Sequence, residues 1–205
     1  MLYDSLTVQE VVDSESSAEF LKEATKLATS RELENIAQRL EAKQELFAEL
    51  LAPRRLAALA KADFVLLLSH VFSIRRKARK LLRLVGVEPF RQQTQELLYG
   101  KGDVADRFEC FVTAFEGRLD ERRAINLASE LLHFHDPDQY CLWTNWVWDP
   151  ATGSGALPMV VQEGVEIGGA STAERYCNVG AALLQVNEVG HARNISGNAT
   201  GMLGT

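Results

Sequence analysis

Between Ser14 and Phe134 the apolar residues return at three- and four-residue intervals, and that period governs what the chain can fold into. A segment with this pattern has a charged face and an apolar stripe that must be covered, and several in succession cover one another. The expected fold is mainly α, a multi-helix globular domain. With 205 residues the chain is long enough to build a core of its own. Its apolar share of 46% and charged share of 24% are those of an ordinary globular protein.

Capping and breaking residues mark off the segments. SSAEFLKEATKLATS sets Phe20, Ala24, Leu27 and Ala28 on one face, after a serine-rich start suited to capping. RELENIAQRLEAKQELFAELL turns Leu33, Ile36, Leu40, Phe47, Leu50 and Leu51 inward. It keeps Glu41, Lys43 and Glu45 on a charged outer face and ends at Pro53. In RRLAALAKADFVLLLSHVF the centre, Phe64 to Leu68, is apolar all round and is expected in the core. RRKARKLLRLVG stops at Gly86, and EPFRQQTQELLYG opens with Pro89 and closes with Gly100. DVADRFECFVTAF has Asp103 as a cap and Val104, Phe108, Phe111, Val112 and Phe115 as its buried stripe. DERRAINLASELLHF turns Ile125, Ala128, Leu131 and Leu132 inward.

At Asp136-Pro137 the pattern breaks. Ten of the 14 glycines lie in 124–205, and ATGSGALPMVVQEGVEIGG has no helical period. MVVQEGVEI fits a short hairpin around Glu163-Gly164. STAERYCNVGAALLQVNEVG reads as a final helix, with Ser171 and Glu174 as a capping box and Gly190 at its end. HARNISGNATGMLGT is small and polar and is expected to be loose. The expected organisation is a helical domain over 1–149, with acidic amphipathic helices over 1–52 and a helical core over 53–149. An irregular extension over 150–205 with one helix follows.

Charge is distributed in three blocks. Positions 1–53 carry 11 acids and 5 bases, positions 54–123 carry 9 acids and 15 bases, and positions 124–205 carry 8 acids and 2 bases. The net charge of −6 disfavours indiscriminate polyanion binding, yet a local basic face still acts within a screening length of about 10 Å. That face is SIRRKARKLLRLVGVEPFR. Read as a helix, it offers Arg75, Arg76, Lys77, Arg79, Lys80 and Arg83 over a buried stripe of Ile74, Ala78, Leu81, Leu82 and Val85. Two readings stand: a phosphate-binding face, or a solvated face tied by ion pairs to the acidic first helices. The three cysteines, Cys110, Cys141 and Cys177, form no CxxC pair and argue for free thiols in a reducing cytoplasm. No apolar run is long enough for a membrane span, and no secretory leader is read at the start.

The chemistry-bearing residues crowd into ELLHFHDPDQYCLWTNWVWD, positions 130–149, which holds all three tryptophans. His133 and His135 are two apart, so a continuing helix sends them to different sides, unlike paired metal ligands three or four apart. Asp136-Pro137-Asp138 reads as a turn after a helix end, where histidines are favoured. Cys141 with a histidine could form a thiolate pair, but a cysteine among aromatics is more often a small buried hydrophobe. No metal or cofactor is expected. TGSGA at 152–156 lacks the lysine of a phosphate loop and reads as a flexible connection. Trp143, Trp146 and Trp148 cannot all serve one surface; packing is their commoner use, base stacking the alternative.

The run LASELLHFHDPDQYCLWTNWV, preceded by LLYGKGDVADRFECFVTAF, resembles a helical domain of bacterial proteins related to the helix-hairpin-helix base-excision DNA glycosylases, over about 53–149. The resemblance implies a helical fold and contact with nucleic acid. It also implies two departures. The Gly-apolar-Gly turn that holds a DNA phosphate in catalytic members is here EGRLDER, with only Gly117 left, and the catalytic aspartate falls at Thr144. A threonine cannot activate water as a carboxylate does, so the resemblance argues against glycosylase chemistry. His133, Asp136, Trp143, Thr144 and Asp149 are the candidate pocket residues. The leading expectation is a non-catalytic nucleic-acid-binding module using the basic face. The alternatives are a protein-interaction or self-association module and, more weakly, an enzyme using His133, Asp136 or Cys141.

Overall fold

The computed structural model describes residues 11–192 apart from 28, 164 and 166. Nine α-helices follow one another among these residues: α1 (Ser14–Lys26), α2 (Ser30–Leu51), α3 (Pro53–Ala58), α4 (Lys61–Ser69), α5 (Ala78–Val85), α6 (Val87–Tyr99), α7 (Val104–Ala114), α8 (Glu121–His135) and α9 (Thr172–Ala192). One 3₁₀ turn lies at Leu157–Met159. The mainly α, multi-helix fold is as the periodicity dictates, and among the described residues the only β pairing is two isolated bridges.

Side chains start the helices where the sequence places caps. Thr29 Oγ1 accepts from the Glu32 amide and the Glu32 carboxylate accepts from the Thr29 amide, a reciprocal box that opens α2. Asp103 accepts from the Ala105 amide at the head of α7. Ser171 accepts from the Glu174 amide at the head of α9, whose own carboxylate reaches back to the Ala170 amide at 2.7 Å.

α8 is the axis of the fold. Every residue from Ala124 to Phe134 is buried, because α2, α6 and α7 pack on it from different sides. Phe47 of α2 meets Phe134 edge-on at 5.6 Å. Phe64, Phe90 and Phe115 continue the core from α4 through α6 to the end of α7. A second aromatic set joins the last helix to this core. Trp148, Trp143, Phe108 and Tyr176 form a column of near-parallel rings, with successive centroids 5.9, 5.8 and 4.3 Å apart. Each such pair contributes about 0.5–1.5 kcal/mol beyond simple burial. Phe108 of α7 thus stacks on Tyr176 of α9, and Trp143 and Trp148 extend the column from Phe108.

The structure corrects several expectations. RRLAALAKADFVLLLSHVF is two helices: the chain breaks at Leu59 and Ala60, and the Asp63 carboxylate restarts it by accepting from the Ala60 amide at 2.7 Å. Within it Leu66 faces outward at 45% exposure, while Phe64, Leu67 and Leu68 are fully buried. Leu27 at 88% and Ile36 at 40% are also exposed. Ala37 of α2 is buried and Leu40 packs on the core, and the contacts to α8 come from Lys43 onward. Lys43 itself, assigned to the outer face, points inward. The hairpin around Glu163-Gly164 falls partly outside the described residues; its first half pairs elsewhere, in a bridge between Val161 and Val12. The Asp13 amide donates to the Val160 carbonyl and the Gln162 amide to the Val11 carbonyl. Of the stretch 191–205, expected to be loose, His191 and Ala192 belong to the end of α9 and the rest lies outside the described residues.

Candidate functional site

The polar residues of α8 explain the conformation of the stretch that follows it. Asn126, Ser129 and His133 stand three and four apart on one face, so they form a stripe along the helix. The chain turns back at Asp136, whose carbonyl accepts from the Gln139 and Tyr140 amides, and then runs along that stripe. His133 Nδ1 donates to the Tyr140 carbonyl at 2.8 Å. Ser129 Oγ accepts from the Trp143 amide at 2.6 Å. Asn126 donates from Nδ2 to Asn145 Oδ1 at 2.7 Å and accepts from the Asn145 amide at 3.0 Å. Residues 140–145 have no helix or sheet of their own, and α8 side chains hydrogen-bond their backbone.

Beside this stripe lies a buried ion pair. Lys43 Nζ is 2.5 Å from Glu130 Oε2, with side-chain exposures of 15% and 5%. The ammonium also sits 3.7 Å from the centroid of the Phe134 ring. Burial pushes the Glu130 carboxyl up and the Lys43 ammonium down, while each partner pulls the other back toward its charged form. The Phe72 backbone amide further stabilises the Glu130 carboxylate. Burial likewise pushes His133 down, opposed by its bond to Tyr140, with the Lys43 charge adding to the depression. The pair ties α2 to the central helix, and the segment that begins at Phe72 lies beside it.

That segment carries half of the basic run. The run is not one helix: residues 72–77 form successive turns and α5 begins only at Ala78. All six cations are exposed, but they divide between two surfaces. Arg75, Arg76 and Lys77 line an open groove of about 730 Å³, together with Phe72, Arg122, Arg123 and Trp146. Arg79 and Arg83 line another of about 790 Å³ with Lys61, Val65 and Leu66 of α4. Lys80 lies beside them, exposed on α5. Among the described residues none of these six pairs with an acid, so ion pairs to the first helices do not occupy them. Arg75 instead covers the Phe72 ring at 4.5 Å.

The acids lining the first groove are already matched. Asp120 caps α8 and pairs with Arg123, and Glu121 pairs with Arg175 at 3.2 Å. Arg122 holds Asp149 at 2.7 Å. Sequence reasoning missed this groove because its cationic turn and the head of α8 are more than forty positions apart. The visible signal was Arg122-Arg123 directly after a capping aspartate.

The five pocket candidates do not come together. Asp149 is engaged at the first turn of α8 by Arg122, whereas His133 is eleven residues further on, about 16 Å along the axis. Asp149 Oδ1 also accepts from the Ala151 amide, and its backbone bridges Ser154. TGSGA is therefore an ordered turn, not a flexible connection. Gly155 in it has φ 134°, and a Cβ there would meet the Val147 carbonyl oxygen at 2.4 Å. Trp143 is fully buried, and its indole donates to the Trp148 carbonyl at 2.9 Å. The Thr144 carbonyl accepts the Val147 and Trp148 amides, closing the turn that carries Trp146. Asp136 ends α8 and accepts from Gln139 at 2.7 Å. Cys141 is buried behind the ladder. Among the described residues no three His, Cys, Asp or Glu side chains are grouped to hold a metal. None of the described helices is long and apolar enough to cross a membrane.

No protein-family model, curated protein or solved structure matches the chain.

Proposed function

We propose that this chain is a non-catalytic nucleic-acid-binding module that meets the phosphodiester backbone in the groove between residues 72–77 and the head of α8. The observation that carries the reading is the set of cations Arg75, Arg76 and Lys77, paired with no acid among the described residues, on a wall whose acids are each matched by an arginine. Phosphates entering there displace no acid partner among the described residues, and counterion release supplies the affinity. The likeness of 53–149 to glycosylase-related helical domains points the same way. Among the described residues His133, Asp136 and Asp149 are each bonded within the fold, which weighs against the enzyme alternative.

The test is titration of an oligonucleotide at several salt concentrations. Binding weakens with salt at about 0.7 to 0.9 in log–log slope per phosphate contact. Arg75→Glu with Arg76→Glu and Lys77→Glu lowers that slope by about 2 or more and removes binding at moderate salt. The exposed positions leave the fold unchanged by circular dichroism. Absence of salt-sensitive binding by the parent protein at low salt refutes the reading.

A second reading, association with a protein, rests on the acidic first helices, where Leu27 and Ile36 are exposed. Deleting 1–52 cannot test it, because Phe47, Leu50 and Leu51 belong to the core. Light scattering of the parent against Leu27→Asp with Ile36→Asp does. An assembled species in the parent and a monomer in the variant support it; monomers in both refute self-association.

A further inference from the structure

Two of the most exposed aromatic rings in the described structure open onto the same cationic groove. Trp146 is 69% exposed and Phe72 is 57% exposed, and both line the wall that holds Arg75, Arg76 and Lys77. They come from different elements: Phe72 from the turns after α4, Trp146 from the turn closed by the Thr144 carbonyl. The second turn is held by Asn126, which bonds both the amide and the side chain of Asn145. Trp146 stands in water while its neighbours Trp143 and Trp148 are buried, and leaving an indole exposed forgoes the free energy of burying it. An exposed ring fixed beside unpaired cations is the arrangement that binds unpaired bases, by stacking each base while cations follow the backbone.

Paired bases hide their faces within the stack, so the exposed rings favour unpaired bases. The groove is open and of about 730 Å³, with room for a short strand. We infer that the groove takes a short stretch of single-stranded nucleic acid, with a base stacked on Trp146 and flanking phosphates at Arg75, Arg76 and Lys77. This rests on the nucleic-acid reading above and adds the strandedness.

The experiment compares a fluorescently labelled oligothymidylate, the same length of duplex, an abasic single strand with intact phosphates, and free thymidine monophosphate. Binding is read by anisotropy and by quenching of tryptophan emission. The expected result is at least tenfold tighter binding of oligothymidylate than of duplex or abasic strand, with quenching. Trp146→Ala lowers oligothymidylate affinity about tenfold or more, abolishes the quenching, and leaves abasic-strand binding unchanged. Phe72→Ala gives a smaller loss of the same kind. Equal affinity for single strand and duplex, or for intact and abasic strands, overturns the inference while the nucleic-acid reading stands. Binding of the free mononucleotide as tight as that of the oligomer also overturns it, in favour of a small-ligand site. Salt-insensitive binding, or none, overturns both.

Discussion

Replacing Lys43 by methionine removes the charge that compensates Glu130 while keeping the length of the side chain. The carboxylate then lies at 5% exposure with only the Phe72 amide to stabilise it. Breaking a buried pair by removing one partner costs about 3–5 kcal/mol, mostly from the charge left behind. Loss of the ammonium over the Phe134 ring falls within that range. With a urea m-value of about 2 kcal/mol/M, the midpoint falls by roughly 1.5–2.5 M. Adding Glu130→Leu removes the stranded charge, and most of the lost stability returns, as well-packed apolar replacements of buried pairs are often neutral. The deficit of the single variant also depends on pH. Burial already holds the Glu130 carboxyl above its ordinary 4.5, and loss of the lysine raises it further. A group that binds its proton more tightly when folded favours the native state at low pH, so the deficit is absent below about pH 4.5 and grows as pH rises through the raised value. Urea melts at several pH values read all of this. A single-variant loss under about 1 kcal/mol at neutral pH, or a double variant no more stable than the single, refutes the claim that the pair is buried and mutually dependent.

Ser129→Ala leaves the buried Trp143 amide without its acceptor and costs about 1–3 kcal/mol in urea melts, with a red shift of tryptophan emission as residues 140–145 loosen; an unchanged midpoint and spectrum refute the ladder. Gly155→Ala drives a Cβ into the Val147 carbonyl and costs at least about 2 kcal/mol; a stable variant shows that the turn at 149–155 can relax. His133 is held below its ordinary 6.5 by burial, so its contribution is present above that value and is lost as pH falls through the folded one. His133→Gln therefore flattens the acid-side fall in stability below about pH 6.5, measured against the parent under the same conditions.

Helical period and caps were legible in the sequence because they are local. Asp103, Thr29 with Glu32, and Ser171 with Glu174 each act within three residues, so spacing alone locates them. The opposite orientations of the tryptophans were legible for the same reason: positions 143, 146 and 148 cannot face one way. The inward turn of Lys43 was not legible, because its partner Glu130 is 87 positions away and each residue alone reads as surface. Nor was the splitting of the basic run. RRKARK has helical composition, yet the chain stays in turns over 72–77 and α5 begins only at Ala78.

By itself the sequence determined the mainly helical class, most of the apolar stripes, the break at Asp136-Pro137 and the uneven distribution of charge, since all of these follow from local spacing and composition. Only the tertiary structure decided that α8 is buried on every side. Only it decided that polar side chains of α8 hold the following chain by its backbone, and that Trp146 rather than Trp143 or Trp148 is left in water beside Arg75, Arg76 and Lys77. Those outcomes depend on which buried donors and acceptors find partners across long stretches of chain, and no local pattern encodes that matching.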